Sequence, residues 1–181
     1  YPLTVMAHRN RSPLEALCKE GATEVSTPAE MARNSDIVFI CVKTSEQVSE
    51  IVSGADGLMA GSHEGLIIVD CSTAHPESTE RLAKTVEHQG VILVDAPLAR
   101  TPREARDGRL NVMVGGDAST VARITPVMES FATFHKTNSW KFAHKGEPTA
   151  RCSLPLWNGY CRRSAQSYSS VLVMLKKICA T

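Results

Sequence analysis

Leu66-Ile67-Ile68-Val69-Asp70-Cys71-Ser72-Thr73 and Val91-Ile92-Leu93-Val94-Asp95-Ala96-Pro97 share one pattern: an apolar run that drops abruptly into small and polar residues. Runs this short, bounded by polar clusters, suit strands covered on both faces of a parallel sheet. In open α/β sheets ligands bind in the crevice outside the carboxyl ends of the strands, so two successive polar strand ends predict a site. A Gly-rich segment, Leu110 to Gly116, follows soon after.

Outward from these runs the pattern alternates strand and helix. Leu3 to Ala7 reads as a buried strand, and Ser12-Pro13 supplies an N-cap and an early proline for a helix that Gly21 closes. Thr27-Pro28-Ala29-Glu30 is a capping box opening a short helix that ends near Asn34, before the apolar strand Ile37 to Val42. A helix from about Ser45 to Val52, a turn at Gly54 to Gly57 and a helix opened by Pro76 follow, and strands at Val91 and Leu110 complete the series. Such alternation predicts an α/β fold, a doubly wound, mostly parallel sheet with helices on both faces. The pattern holds for residues 1–134. Residues 135–181 lose it: Glu147 is their only acidic residue, and no periodicity is sustained, so they read as a loop-rich tail.

A net charge of +1 over 181 residues gives no electrostatic case for nucleic acid or an anionic membrane as the main partner. The six cysteines form no C-x-x-C pair and no metal-ligand spacing, so no metal is expected and the thiols read as reduced. Val171 to Leu175 is far too short to span a bilayer, and the expected compartment is the cytoplasm.

Three constellations carry candidate chemistry. After the first strand, Arg9, Asn10 and Arg11 offer guanidinium forks and no acid at a position where a dinucleotide-binding fold reads the adenosine ribose; the competing reading is a solvated basic turn. In Asp70 to Pro76, a Ser-His-Asp triad fails, because there is no G-x-S-x-G elbow and its members lie too close along the chain. Ser72 and Thr73 read instead as hydroxyl donors to a ligand or as N-caps of the next helix. In the third, Pro97 and Pro102 stiffen a loop in which Arg100 is able to clamp a carboxylate, or is an exposed arginine on a turn.

Val5-x-x-x-Arg9-Asn10-Arg11-Ser12, Glu20-Gly21-Ala22, Ser35 to Phe39, Asp70-x-Ser72-Thr73-x-x-Pro76, and Asp95-Ala96-Pro97 through Gly108-x-Leu110-x-x-Met113-Val114-Gly115-Gly116 occur in fixed order. Together they resemble the β-hydroxyacid dehydrogenases, the family of 3-hydroxyisobutyrate dehydrogenase and tartronate semialdehyde reductase. The resemblance implies a Rossmann domain followed by an all-helical domain. It also implies hydride transfer between NADP (or NAD) and a small 3-hydroxy acid or its semialdehyde, and a homo-oligomeric full-length protein. It sets Arg9, Asn10 and Arg11 at the adenosine 2′-phosphate, Val42, Lys43 and Thr44 along the cofactor, and Ser72 and Thr73 near the nicotinamide ribose. The family's substrate segment, D-A-P-V-S-G-G, falls on Asp95 to Thr101, where Ala99, Arg100 and Thr101 replace Ser-Gly-Gly. That exchange implies a more anionic or larger substrate than 3-hydroxyisobutyrate.

Two family features are not in this sequence. A Gly-rich G-x-G-x-x-G turn would precede the strand at Leu3, so the expected sheet lacks its first strand and that turn. The catalytic lysine's G-x-x-x-K-x-x-N-N helix does not follow the Rossmann domain either. Lys141 and Lys145 are poor substitutes, and no catalytic residue is assigned. The alternative function is a non-catalytic fragment with at most weak nucleotide or anion binding.

Overall fold

The structure, a computed structural model, describes residues 1–7, 11–134 and 171–175. Its main sheet contains β1 (Leu3–Ala7), β2 (Thr23–Glu24), β3 (Ile37–Ile40), β4 (Ile67–Asp70), β5 (Ile92–Asp95) and the late strand β9 (Val171–Leu175) in the order β2-β1-β9-β3-β4-β5. The pairs β1–β2, β3–β4 and β4–β5 are parallel, with Ile37, Ile67 and Ile92 in one register row and Ile40, Asp70 and Asp95 in another. A smaller sheet, β6 (Leu98–Ala99), β7 (Leu110–Val112) and β8 (Ala132–Phe134), follows in the order β6-β7-β8. The strand expected at Leu110 thus belongs to this second sheet, antiparallel to β6 and parallel to β8.

Because successive strand residues face opposite sides, the apolar runs of β3, β4 and β5 feed two cores. On one side Val38, Ile40, Ile68 and Leu93 pack with helices α2 (Pro28–Arg33), α3 (Ser45–Ser53) and α4 (Pro76–Glu87) through Met31, Val48, Val52, Leu82 and Val86. On the other, Ile37, Phe39, Ile67, Val69 and Val94 meet Ile124, Val127 and Met128 of α6 (Ala118–Met128) and Leu110 and Val112 of the small sheet. Phe39 meets Phe131 edge to face, ring centroids 5.7 Å apart. A short 3₁₀ turn, Leu58–Gly61, lies so close to α2 that a Cβ on Gly61 would sit 1.9 Å from the Ala29 carbonyl oxygen, so only glycine fits there.

Local chemistry sets the helix ends. Thr27 accepts from the Glu30 amide at 3.1 Å, while the Glu30 carboxylate reaches back to the Ser26 amide rather than to Thr27. In α1 (Ser12–Lys19), Ser12 is not the N-cap: the Arg11 carbonyl already accepts from the Glu15 amide, so the first turn begins one residue earlier. Nor does Thr73 cap α4. Pro76 opens that helix, its ring holds His75 extended as the preceding residue, and the His75 carbonyl accepts from Ser78 and Thr79.

In the common doubly wound order, the first strand in sequence lies between the second and the fourth. If β1 to β5 correspond to the second to sixth strands of that order, the central position expected to be missing is filled by β9. This strand runs antiparallel to both neighbours. Of the expected loop-rich tail, residues 171–175 therefore form a strand, and residues 135–170 and 176–181 lie outside the described residues.

Candidate functional site

The carboxyl ends of β3, β4 and β5 leave the same edge of the sheet and are tied together by main-chain groups. The Val42 amide donates to Ser72 Oγ at 2.9 Å, and the Ser72 amide donates to Asp70 Oδ1 at 2.9 Å. The His75 amide donates to Ser45 Oγ at 2.7 Å, joining the start of α3 to the start of α4. Ser72 is buried at 2% exposure, Thr73 is half-buried, and Lys43 and Thr44 are exposed at the rim. Thr44 caps α3 by accepting from the Gln47 amide, and Gln47 Oε1 in turn accepts from the Lys43 amide at 3.0 Å. The structure thus brings Val42, Lys43, Thr44, Ser72 and Thr73 onto one rim. The Thr44-x-x-Gln47 spacing is itself a capping pattern written in the sequence.

Beneath this rim Asp70 and Asp95 are register neighbours on adjacent strands. Asp70 Oδ2 is buried and has no hydrogen-bond partner. Burial pushes the Asp95 carboxyl up to about 7, with the Asp70 charge adding to it, and burial likewise raises Asp70. Two thiols share the region: Cys41 is pushed up to about 12 by burial and then by Asp70, and Cys71 is raised well above its ordinary value, again first by burial. Thiols held protonated in this way are poor nucleophiles and poor metal ligands. Among the described residues no cluster of three or more His, Cys, Asp or Glu is placed to hold a metal ion. Neither is any described helix long and apolar enough to cross a membrane.

The Gly-rich segment after β7 closes onto β5: the Gly115 amide donates to the Asp95 carbonyl at 2.8 Å. Gly116 lies against Val94 of β5 and Val121 of α6. The predicted substrate loop leaves the same edge through Ala96 and Pro97. Ala99 pairs with Asn111, and Thr101 forms a capping box with Glu104 at the start of α5 (Pro102–Arg106). Arg100, between them, has φ +91°, the one positive value at a non-glycine among the described residues. The resemblance sets a glycine of the family's segment at this position. Its side chain is close enough to Glu104 to help hold that carboxyl low, after the larger effect of the Thr101 hydroxyl.

Arg9 and Asn10 lie outside the described residues. Arg11 does not stand open toward the crevice: its guanidinium pairs with Glu24 of β2 at 2.9 Å and lies 4.0 Å from Glu15.

A doubly wound sheet with a polar crevice at the carboxyl ends of three neighbouring parallel strands defines a dinucleotide-binding domain of the Rossmann type. A family model, the NAD binding domain of 6-phosphogluconate dehydrogenase, matches residues 1–144. The chain belongs to this 6-phosphogluconate dehydrogenase/β-hydroxyacid dehydrogenase family, within its N-terminal domain. It is similar to 2-hydroxy-3-oxopropionate reductase of Escherichia coli (strain K12), 37% identical over 115 residues, covering 64% of this chain and 39% of the relative. It is similar also to 3-sulfolactaldehyde reductase of the same organism, 25% identical over 166 residues, covering 92% of this chain and 53% of the relative. Among solved structures, Psf3 in complex with NADP+ and 2-OPP superposes with a TM-score of 0.64 at 29% identity, over 72% of this chain and 48% of that one. The chain thus spans about half, or less, of the length of these relatives.

Proposed function

We propose that this chain is the nucleotide-binding part of an NAD(P)-dependent oxidoreductase that moves a hydride between a nicotinamide cofactor and a small 3-hydroxy acid or its semialdehyde. The observation that carries the reading is the Val42–Ser72 bond. It holds the ends of β3 and β4 together as one rim of hydroxyls and main-chain groups at the crevice.

The bound cofactor supplies the hydride donor or acceptor. Val42, Lys43 and Thr44 line it, and Ser72 and Thr73 face the nicotinamide ribose. Ser72 Oγ uses a lone pair on the Val42 amide, which leaves its O–H as a donor. Arg11, with Arg9 and Asn10, meets the adenosine 2′-phosphate, which then competes with Glu24 for the guanidinium. Ala99, Arg100 and Thr101 form the substrate end, and the Arg100 cation favours a substrate more anionic than 3-hydroxyisobutyrate. No described residue is assigned as the catalytic acid or base. The compartment is the cytoplasm, and the longer protein is a homo-oligomer.

Titration of the 181-residue chain with NADPH and NADH, followed by fluorescence, tests the reading. Saturable binding, weakened several-fold in Ser72→Ala, is expected; no binding at millimolar nucleotide would sink it. A second reading, a non-catalytic chain with at most weak nucleotide or anion binding, is favoured by the reversed direction of β9 at the centre of the sheet. An aldehyde-reduction assay on the same sample separates the two, since turnover excludes the second.

A further inference from the structure

We propose that the slot between β1 and β3 is a strand-accepting site for an extended apolar peptide in antiparallel orientation, filled here by the chain's own β9. The two neighbours bond to β9 rather than to each other, and β9 matches every residue of β1, from Leu3 opposite Leu175 to Ala7 opposite Val171. Its ladder with β3 covers only Ile37 and Val38. Without β9 the main sheet falls into two parts. One is β3-β4-β5, held by four-residue registers, and the other is β1-β2, held by a two-residue register. The site therefore has one strand, β1, that depends on its occupant, and one wall, β3, that is supported independently.

The occupant arrives from far along the chain, since residues 135–170 separate it from β8. Main-chain hydrogen bonds supply affinity in this mode of binding, and an apolar, β-branched sequence such as Val171-Leu172-Val173-Met174-Leu175 suits it. Direction matters for the nucleotide. β9 brings its amino end, Val171, to the crevice edge beside Ala7 and carries its carboxyl end to the opposite edge. A parallel strand in this slot would deliver its carboxyl end, and the amino end of a following helix, to a pyrophosphate. β9 and such a strand exclude one another.

Amide hydrogen exchange tests the site without nucleotide, so its outcome is independent of the functional reading above. In the intact 181-residue chain, amides 171–175 and 3–7 are expected to be protected. Met174 is matched with Thr4 on one side and Val38 on the other, so Met174→Pro removes an amide that one ladder uses. This variant is expected to lose about tenfold or more protection in β9 and β1 while β4 and β5 keep theirs. A synthetic peptide of residues 169–177, added in trans, is expected to restore protection to β1. Free exchange of 171–175 in the intact chain would overturn the proposal. So would loss of β4 and β5 together with β1 in the variant, which would make β9 an integral strand, or failure of the peptide to protect β1.

Discussion

The amide of Val42 donates to the hydroxyl oxygen of Ser72 across 2.9 Å and thirty residues of sequence, and this bond links the two strand ends that form the crevice rim. Ser72 is buried and Val42 half-buried, so Ser72→Ala leaves the Val42 amide without its acceptor. A loss of about 1–3 kcal/mol is expected, read as a lower urea midpoint at unchanged slope. An unchanged midpoint would show that the link contributes nothing to stability.

Asp95 sets a dependence on pH. Its carboxyl titrates at about 7 in the folded chain against 3.8 in the ordinary state, because burial and then Asp70 disfavour its charge. The unfolded chain ionises first, so stability falls as pH rises from about 4 to about 7 and then levels off. Asp70 shifts in the same direction. Asp117 acts in a separate range: the Ser119 and Thr120 groups it caps hold it well below the usual carboxylate value, so its contribution is lost only at acid pH. Asp95→Asn removes the neutral-pH penalty and is expected to stabilise the chain by about 1–3 kcal/mol at pH 8 and by much less at pH 4. Equal effects at both pH values in thermal melts would contradict the assignment.

Arg100 holds a backbone conformation that favours glycine. Arg100→Gly and Arg100→Ala remove the same side chain and the same attraction to Glu104, and differ only in backbone freedom. The glycine variant is expected to be the more stable by about 1 kcal/mol, measured by denaturant unfolding. If alanine equals glycine, the conformation carries no strain. If Arg100 contacts the substrate, Arg100→Gly is further expected to lower the preference for dianionic over monoanionic aldehydes in a reduction assay; an unchanged ranking would give Arg100 no part in substrate recognition.

Glu24 pairs with Arg11. Their contact is exposed and worth little to stability, so Glu24→Gln is expected to leave the melting temperature nearly unchanged. If Arg11 meets the 2′-phosphate, the same change raises the NADPH-over-NADH affinity ratio several-fold at low salt, measured by calorimetry. A ratio that stays constant would assign Arg11 to the β1–β2 edge alone.

Much of the architecture is written in local chemistry. The runs at Ile37, Ile67 and Ile92 are apolar at every position because both faces of their strands are covered, and Pro28 and Pro76 mark helix starts because proline needs no amide partner there. The rim was legible as residue types at strand ends, and at two of them, Val42 and Ser72, the strand ends are hydrogen-bonded. Less legible were the roles of individual hydroxyls. Thr44 and Thr101 cap helices, and whether a side chain caps or contacts a ligand depends on where the helix begins, a matter of one residue.

The sequence by itself determined the alternating strands and helices, the sheet covered on both faces and the family, because each rests on periodicity, capping and motifs within short windows. Only the tertiary structure decided that Asp70 and Asp95 lie side by side, that Arg11 turns to Glu24, and that Val171 to Leu175 enters the centre of the sheet against the direction of its neighbours. Those facts are pairings between residues distant along the chain. Strand direction and register follow from which main-chain groups meet across the sheet, and no window of sequence contains both partners.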